Sequence, residues 1–194
     1  MVPWRGVEIM RNILLVGGTG MLSGLATRLL GDYYHVLVIG RDPAKFAAME
    51  REAQERVEHL TLMALDYRRL DRLGPWVAHM QLMHGGLDKV VAWIHGDAHP
   101  ILEAIAGEVE QYRQSPWDLY HVLPLGASLE SGATPLKMDY GRYHRIILGF
   151  MGQGEKTRWL THPEIVDGVY AALDGGRDSQ VGRISPYSQR PREV

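Results

Sequence analysis

Short apolar runs alternate along this chain with longer segments in which apolar residues recur at helical spacing. The runs lie at residues 13–16, 36–39, 60–65, 90–94, 120–123 and 145–148, with a weaker run at 181–184. Most are apolar nearly throughout, which predicts strands covered on both faces of a parallel sheet. Residues such as Leu73, Val77 and Met80 predict the helices between them. The alternation predicts an α/β fold, a doubly wound and mostly parallel sheet (Rossmann fold) in three αβα layers.

Two helix starts are marked by their capping residues. Asp42 precedes a proline, which pairs an N-cap acceptor with a residue that lacks a backbone donor. Thr161 and Glu164 have the spacing of a capping box, in which each side chain accepts from the other residue's backbone N–H. We therefore expect helices to begin just after Asp42 and Thr161.

The length of 194 residues is sufficient for one domain with a full core and too short for two ordinary domains. We divide the chain into an N-terminal extension at residues 1–11, a nucleotide-binding Rossmann domain at 12–185 and a C-terminal tail at 186–194. The tail is expected to fray or to lie on a partner subunit. A homo-oligomer is left open.

Composition excludes several classes of function. Cysteine is absent, so disulfides and thiolate metal sites are excluded, and a cytoplasmic location is expected. The formal net charge of −2 and the scattered basic residues argue against nucleic acid as a partner. No apolar run is long enough to span a bilayer, so we expect no membrane association. His95 and His99 have a metal-ligand spacing, but Gly96 and Pro100 interrupt the helix that it needs, so no metal site is predicted.

A glycine-rich segment, GGTGMLSG at residues 17–24, directly follows the first apolar run. At such a junction one glycine permits the tight turn and another lets the backbone approach a pyrophosphate, whose charge the N–H groups of the next helix stabilise. The spacing predicts a dinucleotide-binding turn, with a purely structural turn as the alternative. The predicted cofactor contacts are Gly17, Gly18, Thr19, Gly20, Met21 and Leu22.

The end of the second run bears on which dinucleotide is bound. An acidic residue there would bind the ribose 2′-hydroxyl of NAD, but the chain has Arg41, whose guanidinium suits the 2′-phosphate of NADP. A plain surface arginine is the alternative. Asp66 and Tyr67 follow the third run, where they could border the adenine, although Asp66 could equally cap the next helix.

The glycine turn resembles that of the short-chain dehydrogenase/reductase superfamily, whose extended and atypical branches carry G-A-T-G-x-x-G there. Ser23 stands in place of the last glycine. Arg41 resembles the residue of NADP-preferring members, and Asp66 matches their adenine-side acid. The resemblance therefore implies NADP as the cofactor.

The same resemblance extends to the fourth run, VVAWIHG at residues 90–96. The family carries Asn-Ala-Gly beside the nicotinamide ribose at this place, and the chain keeps only Gly96 of that motif. The resemblance implies that His95 and Gly96 lie near the cofactor. We interpret His95 as a residue that contacts the ribose or lies at the rim of the ligand crevice. Polarisation of a substrate carbonyl is the alternative.

The catalytic half departs from the family. Active members have a serine after the fifth strand and then Tyr-x-x-x-Lys, in which lysine lowers the pKa of tyrosine; an unperturbed tyrosine is a poor proton relay at neutral pH. Tyr-x-x-x-Lys does not occur in this sequence. Ser128 could replace the family serine, and Tyr140 precedes His144 at the spacing of the lysine, but both are more readily loop residues. Ser128, Tyr140 and His95 are therefore weak catalytic candidates.

The leading interpretation is an NADP(H)-binding protein of the short-chain dehydrogenase type and an oxidoreductase on a small carbonyl or enone. The alternative is a non-catalytic module that reports the NADP(H) state to a partner. An S-adenosylmethionine methyltransferase ranks last, because such enzymes place an acid where this chain has Arg41.

Overall fold

The computed structural model describes residues 11–32, 34–126, 136–153 and 156–191. The strands of this part are β1 (Arg11–Val16), β2 (Tyr34–Gly40), β3 (Leu60–Ala64), β4 (Leu87–Trp93), β5 (Trp117–Pro124), β6 (Gly141–Leu148), β7 (Phe150–Gln153), β8 (Lys156–Trp159) and β9 (Ser179–Val181). The α-helices are α1 (Ser23–Leu30), α2 (Phe46–Ala53), α3 (Leu70–His84), α4 (His99–Tyr112) and α5 (His162–Ala172). Short 3₁₀ helices lie at Pro43–Lys45, Gln54–His59 and Tyr187–Gln189.

The central sheet is parallel throughout and has the strand order β3-β2-β1-β4-β5-β6-β9. Strand order reverses between β1 and β4, so a crevice forms beyond the carboxyl ends of these two strands. In doubly wound folds such a crevice is where ligands bind. The predicted fold class is confirmed.

Apolar side chains on both faces of the sheet explain why the strands lack polar alternation. One face packs against α1, α2 and α5, with Leu25, Leu29 and Val169 in the contact. The other face packs against α3 and α4, with Leu73 and Ile105 among the buried residues. Burying each such side chain contributes about 1.5–3 kcal/mol relative to leaving it in water. This double coverage fixes the position of the strands whose carboxyl ends border the crevice.

Both predicted capping motifs are present. The Asp42 carboxylate accepts from the Ala44 backbone N–H at 3.0 Å and caps the 3₁₀ helix that leads into α2. Thr161 and Glu164 form the reciprocal capping box of α5. Glu164 also pairs with Arg158 at 2.7 Å, and these hydrogen bonds lower the pKa of the Glu164 carboxyl to about 2.

The segment after the fifth run differs in detail from the expectation. β6 begins at Gly141, four residues before the predicted run, and β9 ends at Val181 instead of beginning there. The glycine-rich loop after β6 forms an antiparallel hairpin of β7 and β8. Ser128 lies outside the described residues.

The segment that leads into the C-terminal tail is anchored to the body of the protein. Phe150 and Arg183 exchange backbone hydrogen bonds at 2.8 and 2.9 Å, which anchors the segment beside the end of β6. A side chain at Gly149 would lie 2.1 Å from the Arg183 carbonyl oxygen, so only glycine permits this approach. The residues beyond Arg183 then run along the carboxyl edge of the sheet. No helix in the described ranges has both the length and the apolar character of a membrane span.

His121 is a buried titratable group in β5, on the face covered by α3 and α4. Its Nδ1 lies 2.8 Å from the Tyr143 hydroxyl, while its Nε2 has no hydrogen-bond partner among the described residues. Desolvation by burial lowers the pKa of His121 to about 4. The ring is therefore neutral in the folded protein at neutral pH.

This burial predicts a pH dependence of stability. Between pH 6.5 and 4, His121 is protonated in the unfolded chain but stays neutral in the folded protein. The free energy of unfolding therefore falls as the pH falls. The lowered pKa corresponds to a loss of up to about 3 kcal/mol across this window. Denaturant titrations at pH 7, 5.5 and 4.5 should show a shallower decline in His121→Gln, while the exposed-site variant His79→Gln should follow the wild type. An unchanged decline in His121→Gln would refute this origin.

Candidate functional site

The glycine turn after β1 depends on the conformation of Gly17. Gly17 has a φ of 75°, and its N–H donates to the Ile39 carbonyl at 3.1 Å. A Cβ at this position would lie 2.2 Å from the Trp93 carbonyl oxygen. Gly17 thus brings the end of β1 against the end of β4, which is where the strand order reverses.

The rest of the turn leaves space in front of α1. A Cβ on Gly20 would meet nothing closer than the Gly17 carbonyl oxygen, at 4.0 Å. The N-cap residue of α1 is Leu22, which offers no side-chain acceptor to the first amides of the helix. Backbone donors at an uncapped helix start are suited to an anion.

A cavity of about 380 Å³ opens in front of this turn. Its lining combines residues from the carboxyl ends of β1, β2, β3 and β4 with one residue of α5. The lining residues are Gly17, Thr19, Gly20, Met21, Gly40, Arg41, Lys45, Tyr67, Trp93, His95 and His162. Seven of the predicted contacts are thereby brought together: Gly17, Thr19, Gly20, Met21, Arg41, Tyr67 and His95.

Four predicted contacts do not line this cavity. Gly18 lies beneath the turn, where a Cβ would be 3.0 Å from Leu15, and the side chain of Leu22 is fully buried in the core. Gly96 has a φ of 86° at the bend after β4. The fourth, Asp66, is engaged by a neighbouring arginine.

Asp66 forms a forked pair with Arg68, with nitrogen to oxygen distances from 2.7 to 3.2 Å. These hydrogen bonds lower the pKa of the Asp66 carboxyl to about 2. Its Oδ1 also accepts from the Arg68 backbone N–H at 3.1 Å. Since α3 begins only at Leu70, with Arg69 as its N-cap, Asp66 stabilises the preceding turn and does not cap that helix.

The end of β2 makes one side of the cavity basic. Arg41 is exposed, and its guanidinium carbon lies 6.0 Å from the centre of the Tyr67 ring. Lys45 lines the same cavity from the 3₁₀ helix that Asp42 caps. Asp42 is used as a helix cap and Asp66 is paired with Arg68, so both of these acids are already engaged.

Sequence reasoning missed four lining residues: Gly40, Lys45, Trp93 and His162. Gly40 had a detectable signal, since it ends a strand directly before Arg41. A Cβ there would lie 2.3 Å from Thr19 Cγ2, so Gly40 permits the glycine turn to pack against β2. His162 is the first residue of α5 and reaches the cavity only through tertiary folding.

His95 lies at the rim of the cavity and is held by Trp93. The indole Nε1 donates to His95 Nε2 at 3.1 Å, with the two rings edge to face. Because the indole N–H can only donate, Nε2 is the acceptor and the neutral ring carries its proton on Nδ1. His95 therefore presents an N–H donor from Nδ1.

A larger cavity of about 760 Å³ adjoins the first one, and both are lined by Met21 and Trp93. It lies beyond the carboxyl ends of β4, β5 and β6. Its other lining residues are Pro124, Leu125, Gly126, Leu148, Gly149, Trp159, Leu160, Ile165, Tyr187, Ser188, Arg190 and Pro191. The C-terminal segment and the hairpin residue Trp159 thus form part of its wall.

Comparison with known proteins identifies the fold. A short-chain dehydrogenase from Bacillus anthracis is similar over 95% of this chain and 98% of its own, with a TM-score of 0.71 and 14% identity. A short-chain dehydrogenase/reductase of the glucose/ribitol dehydrogenase type from Brucella melitensis is similar over 89% and 94%, with a TM-score of 0.68 and 15% identity. The structure of ElxO with NADP bound is similar over 90% and 98%, with a TM-score of 0.61 and 13% identity.

The chain has the fold of the short-chain dehydrogenases/reductases. No protein-family model matches its sequence, and no curated protein matches it in sequence. The structural likeness therefore rests on backbone architecture.

Within this short-chain dehydrogenase/reductase fold, Tyr140 and His144 lie away from the crevice. Tyr140 immediately precedes β6, at the amino edge of the sheet, and its backbone N–H donates to Glu110 of α4. His144 is buried in β6, and its Nε2 lies 2.8 Å from Asp118. A parallel strand sends its amino end to the edge opposite the ligand crevice, so the structure does not bring this pair to the cavities.

Proposed function

We propose that this chain binds NADP(H) as an atypical member of the short-chain dehydrogenase/reductase superfamily and acts as an oxidoreductase on a small carbonyl or enone. The observation that carries the proposal is the smaller cavity, whose lining combines an open glycine turn with two cations, Arg41 and Lys45. The similar fold of ElxO, solved with NADP bound, supports the same cofactor class.

The residues present fit a dinucleotide. The open space beside Gly20 and the uncapped start of α1 suit a pyrophosphate, which backbone N–H groups would hold. Arg41 and Lys45 suit a further phosphate on the adenosine ribose, because a guanidinium binds a dianionic phosphate in a forked geometry. Tyr67 would border the adenine, and His95 would donate to a ribose hydroxyl through its Nδ1.

Replacing Arg41 with alanine tests the choice between NADP and NAD. We expect Arg41→Ala to weaken NADPH by about 1–3 kcal/mol, because a charge-assisted contact with the third phosphate is lost. NADH, which lacks this phosphate, should bind with nearly unchanged affinity. Fluorescence titration of both cofactors measures the difference.

Arg51→Ala is the matched control for this titration. Arg51 is an exposed arginine of α2 whose Nε donates to the Ala47 carbonyl, and it does not line the cavity. The Arg51→Ala substitution removes the same charge as Arg41→Ala. It therefore distinguishes the loss of a local phosphate contact from a change in the overall charge of the protein. An equal loss of NADPH and NADH in Arg41→Ala would contradict the assigned role.

The oxidoreductase part of the proposal concerns the larger cavity. When bound, a nicotinamide supplies or accepts a hydride, and the protein then orients the substrate and provides a proton. Among the described lining residues, the side-chain hydroxyls belong to Tyr187 and Ser188 of the C-terminal segment. These two groups are the candidate hydrogen-bond donors to a substrate carbonyl, in place of Tyr140, and the proton then comes from water.

The second candidate function is a non-catalytic NADP(H)-binding module. The position of Tyr140 and His144 favours this module, because they lie away from both cavities. This pair therefore cannot take the place of the family's tyrosine and lysine beside the cofactor. Single-turnover assays separate the two functions. The protein is held in excess over NADPH, and a panel of aldehydes, ketones and enones is added one compound at a time. An oxidoreductase should oxidise the NADPH with at least one of these compounds, which is seen as a loss of NADPH absorbance. Tight binding with no consumption across the panel would support the module.

A further inference from the structure

The larger cavity has an apolar body. Leu148 of β6, Ile165 of α5 and Leu160 between β8 and α5 form one side, and the Trp159 ring lies at the opening, where it is 41% exposed. Pro124 and Leu125 continue this surface from the end of β5. A cavity of about 760 Å³ is within the size range of sites that enclose small organic ligands.

One charged side chain stands among the described lining residues of this cavity, namely Arg190. The described lining contains no carboxylate, so nothing in that wall neutralises the guanidinium. Arg190 stacks on Tyr187, with its guanidinium carbon 4.2 Å from the ring centre. Stacking fixes the plane of the guanidinium while leaving its edge open to a hydrogen-bond acceptor.

A comparison with Arg183 shows that Arg190 is available to a ligand. Arg183 donates to the Gly152 carbonyl at 2.6 Å and to the Ser185 carbonyl at 3.3 Å. Both of its terminal nitrogens are therefore used in hydrogen bonds within the protein. Arg190 makes one long hydrogen bond to the Tyr187 carbonyl, at 3.4 Å. Its remaining N–H groups have no acceptor among the described residues.

We infer that the larger cavity accepts an amphipathic substrate with an apolar body and one carboxylate end, and that Arg190 binds the carboxylate. The apolar wall would hold the body, and the guanidinium would receive the anion in a forked geometry. This inference rests on the proposed function, because it names the substrate class of the same site. It also assigns a role to the C-terminal segment, which supplies Arg190 together with the hydroxyls of Tyr187 and Ser188.

Calorimetric titration with decanoate and with decanol tests the inference. The two probes share an apolar chain and differ in the anionic end. Wild-type protein should bind decanoate at least about tenfold more tightly than decanol, since hydrogen bonds to charged groups are among the stronger ones. Arg190→Gln should abolish this preference, and Arg190→Lys should keep part of it.

Arg177→Gln is the matched control, because Arg177 is exposed, precedes β9 and lies outside this cavity. It should retain the full preference for decanoate. Equal binding of the two probes to the wild type, no binding of either, or an intact preference in Arg190→Gln would overturn the inference.

Parallel NADPH titrations of the same variants distinguish this failure from that of the proposed function. NADPH binding without a preference for decanoate would overturn only the carboxylate site. A preference for decanoate that depends on Arg190, without NADPH binding, would support the carboxylate site and overturn the cofactor assignment.

Discussion

Gly20→Val is expected to remove dinucleotide binding while leaving the fold intact. The valine side chain would stand in the open space of the smaller cavity, where a phosphate must approach the backbone. Gly20 does not have a positive φ, so the backbone itself accepts a side chain. We expect NADPH affinity to fall by at least about 100-fold, which corresponds to about 3 kcal/mol.

The measurement for Gly20→Val pairs cofactor titration with thermal unfolding followed by circular dichroism. Gly107→Val is the control, because Gly107 lies on the exposed side of α4 and a Cβ there would meet nothing within 4 Å. The control should bind NADPH like the wild type. Retained affinity in a folded Gly20→Val protein would refute the phosphate role of the turn.

Gly17→Ala is expected to act on stability. Alanine would have to adopt the φ of 75° and would place its Cβ 2.2 Å from the Trp93 carbonyl oxygen. Strained backbone and overpacking each cost about 1–3 kcal/mol, so we expect a loss of about 2–6 kcal/mol in the free energy of unfolding. A loss of this size is a large part of the stability of an ordinary domain.

Urea titration of Gly17→Ala, with Gly107→Ala beside it, measures this effect. The Gly107 variant replaces a glycine inside a helix and should gain about 0.5–1 kcal/mol. A free energy of unfolding of Gly17→Ala within about 1 kcal/mol of the wild-type value would contradict the close contact between the ends of β1 and β4.

The two glycine variants separate two roles within one turn. Gly17 lets the strands meet at the point where their order reverses, and Gly20 leaves the space in front of the turn open. The sequence predicts that one glycine of the segment makes the tight turn and another lets the backbone approach a pyrophosphate. The distinction required the positions of the neighbouring atoms.

Much of the fold could be predicted from the sequence because its signals are local. The uninterrupted apolar runs predicted the central strands, and Asp42 and Thr161 marked helix starts that the structure confirms. The position of Arg41 beside the cavity could be predicted because a strand end has a fixed relation to the glycine turn in a βαβ unit. Patterns of this kind depend on neighbours in sequence and on regular geometry.

The missed residues depend on long-range packing. His162 begins a helix far along the chain, and Arg190 follows a segment whose local sequence does not say which surface it contacts. The backbone pairing of Phe150 with Arg183 decides this, and it depends on the absence of a side chain at Gly149. Tyr140 and His144 show the opposite case, in which a local pattern is misleading. Their spacing matches that of the family's tyrosine and lysine, but the fold places them away from the cavities.

Calorimetric titration of the native protein with NADPH and with NADH, at one salt concentration, is the decisive experiment for the proposed NADP(H) site. We expect one NADPH site per chain and an affinity for NADPH at least about tenfold above that for NADH, because Arg41 and Lys45 would bind the additional phosphate. No binding of either cofactor would contradict the dinucleotide site, and equal affinity for both would contradict the role of the two cations.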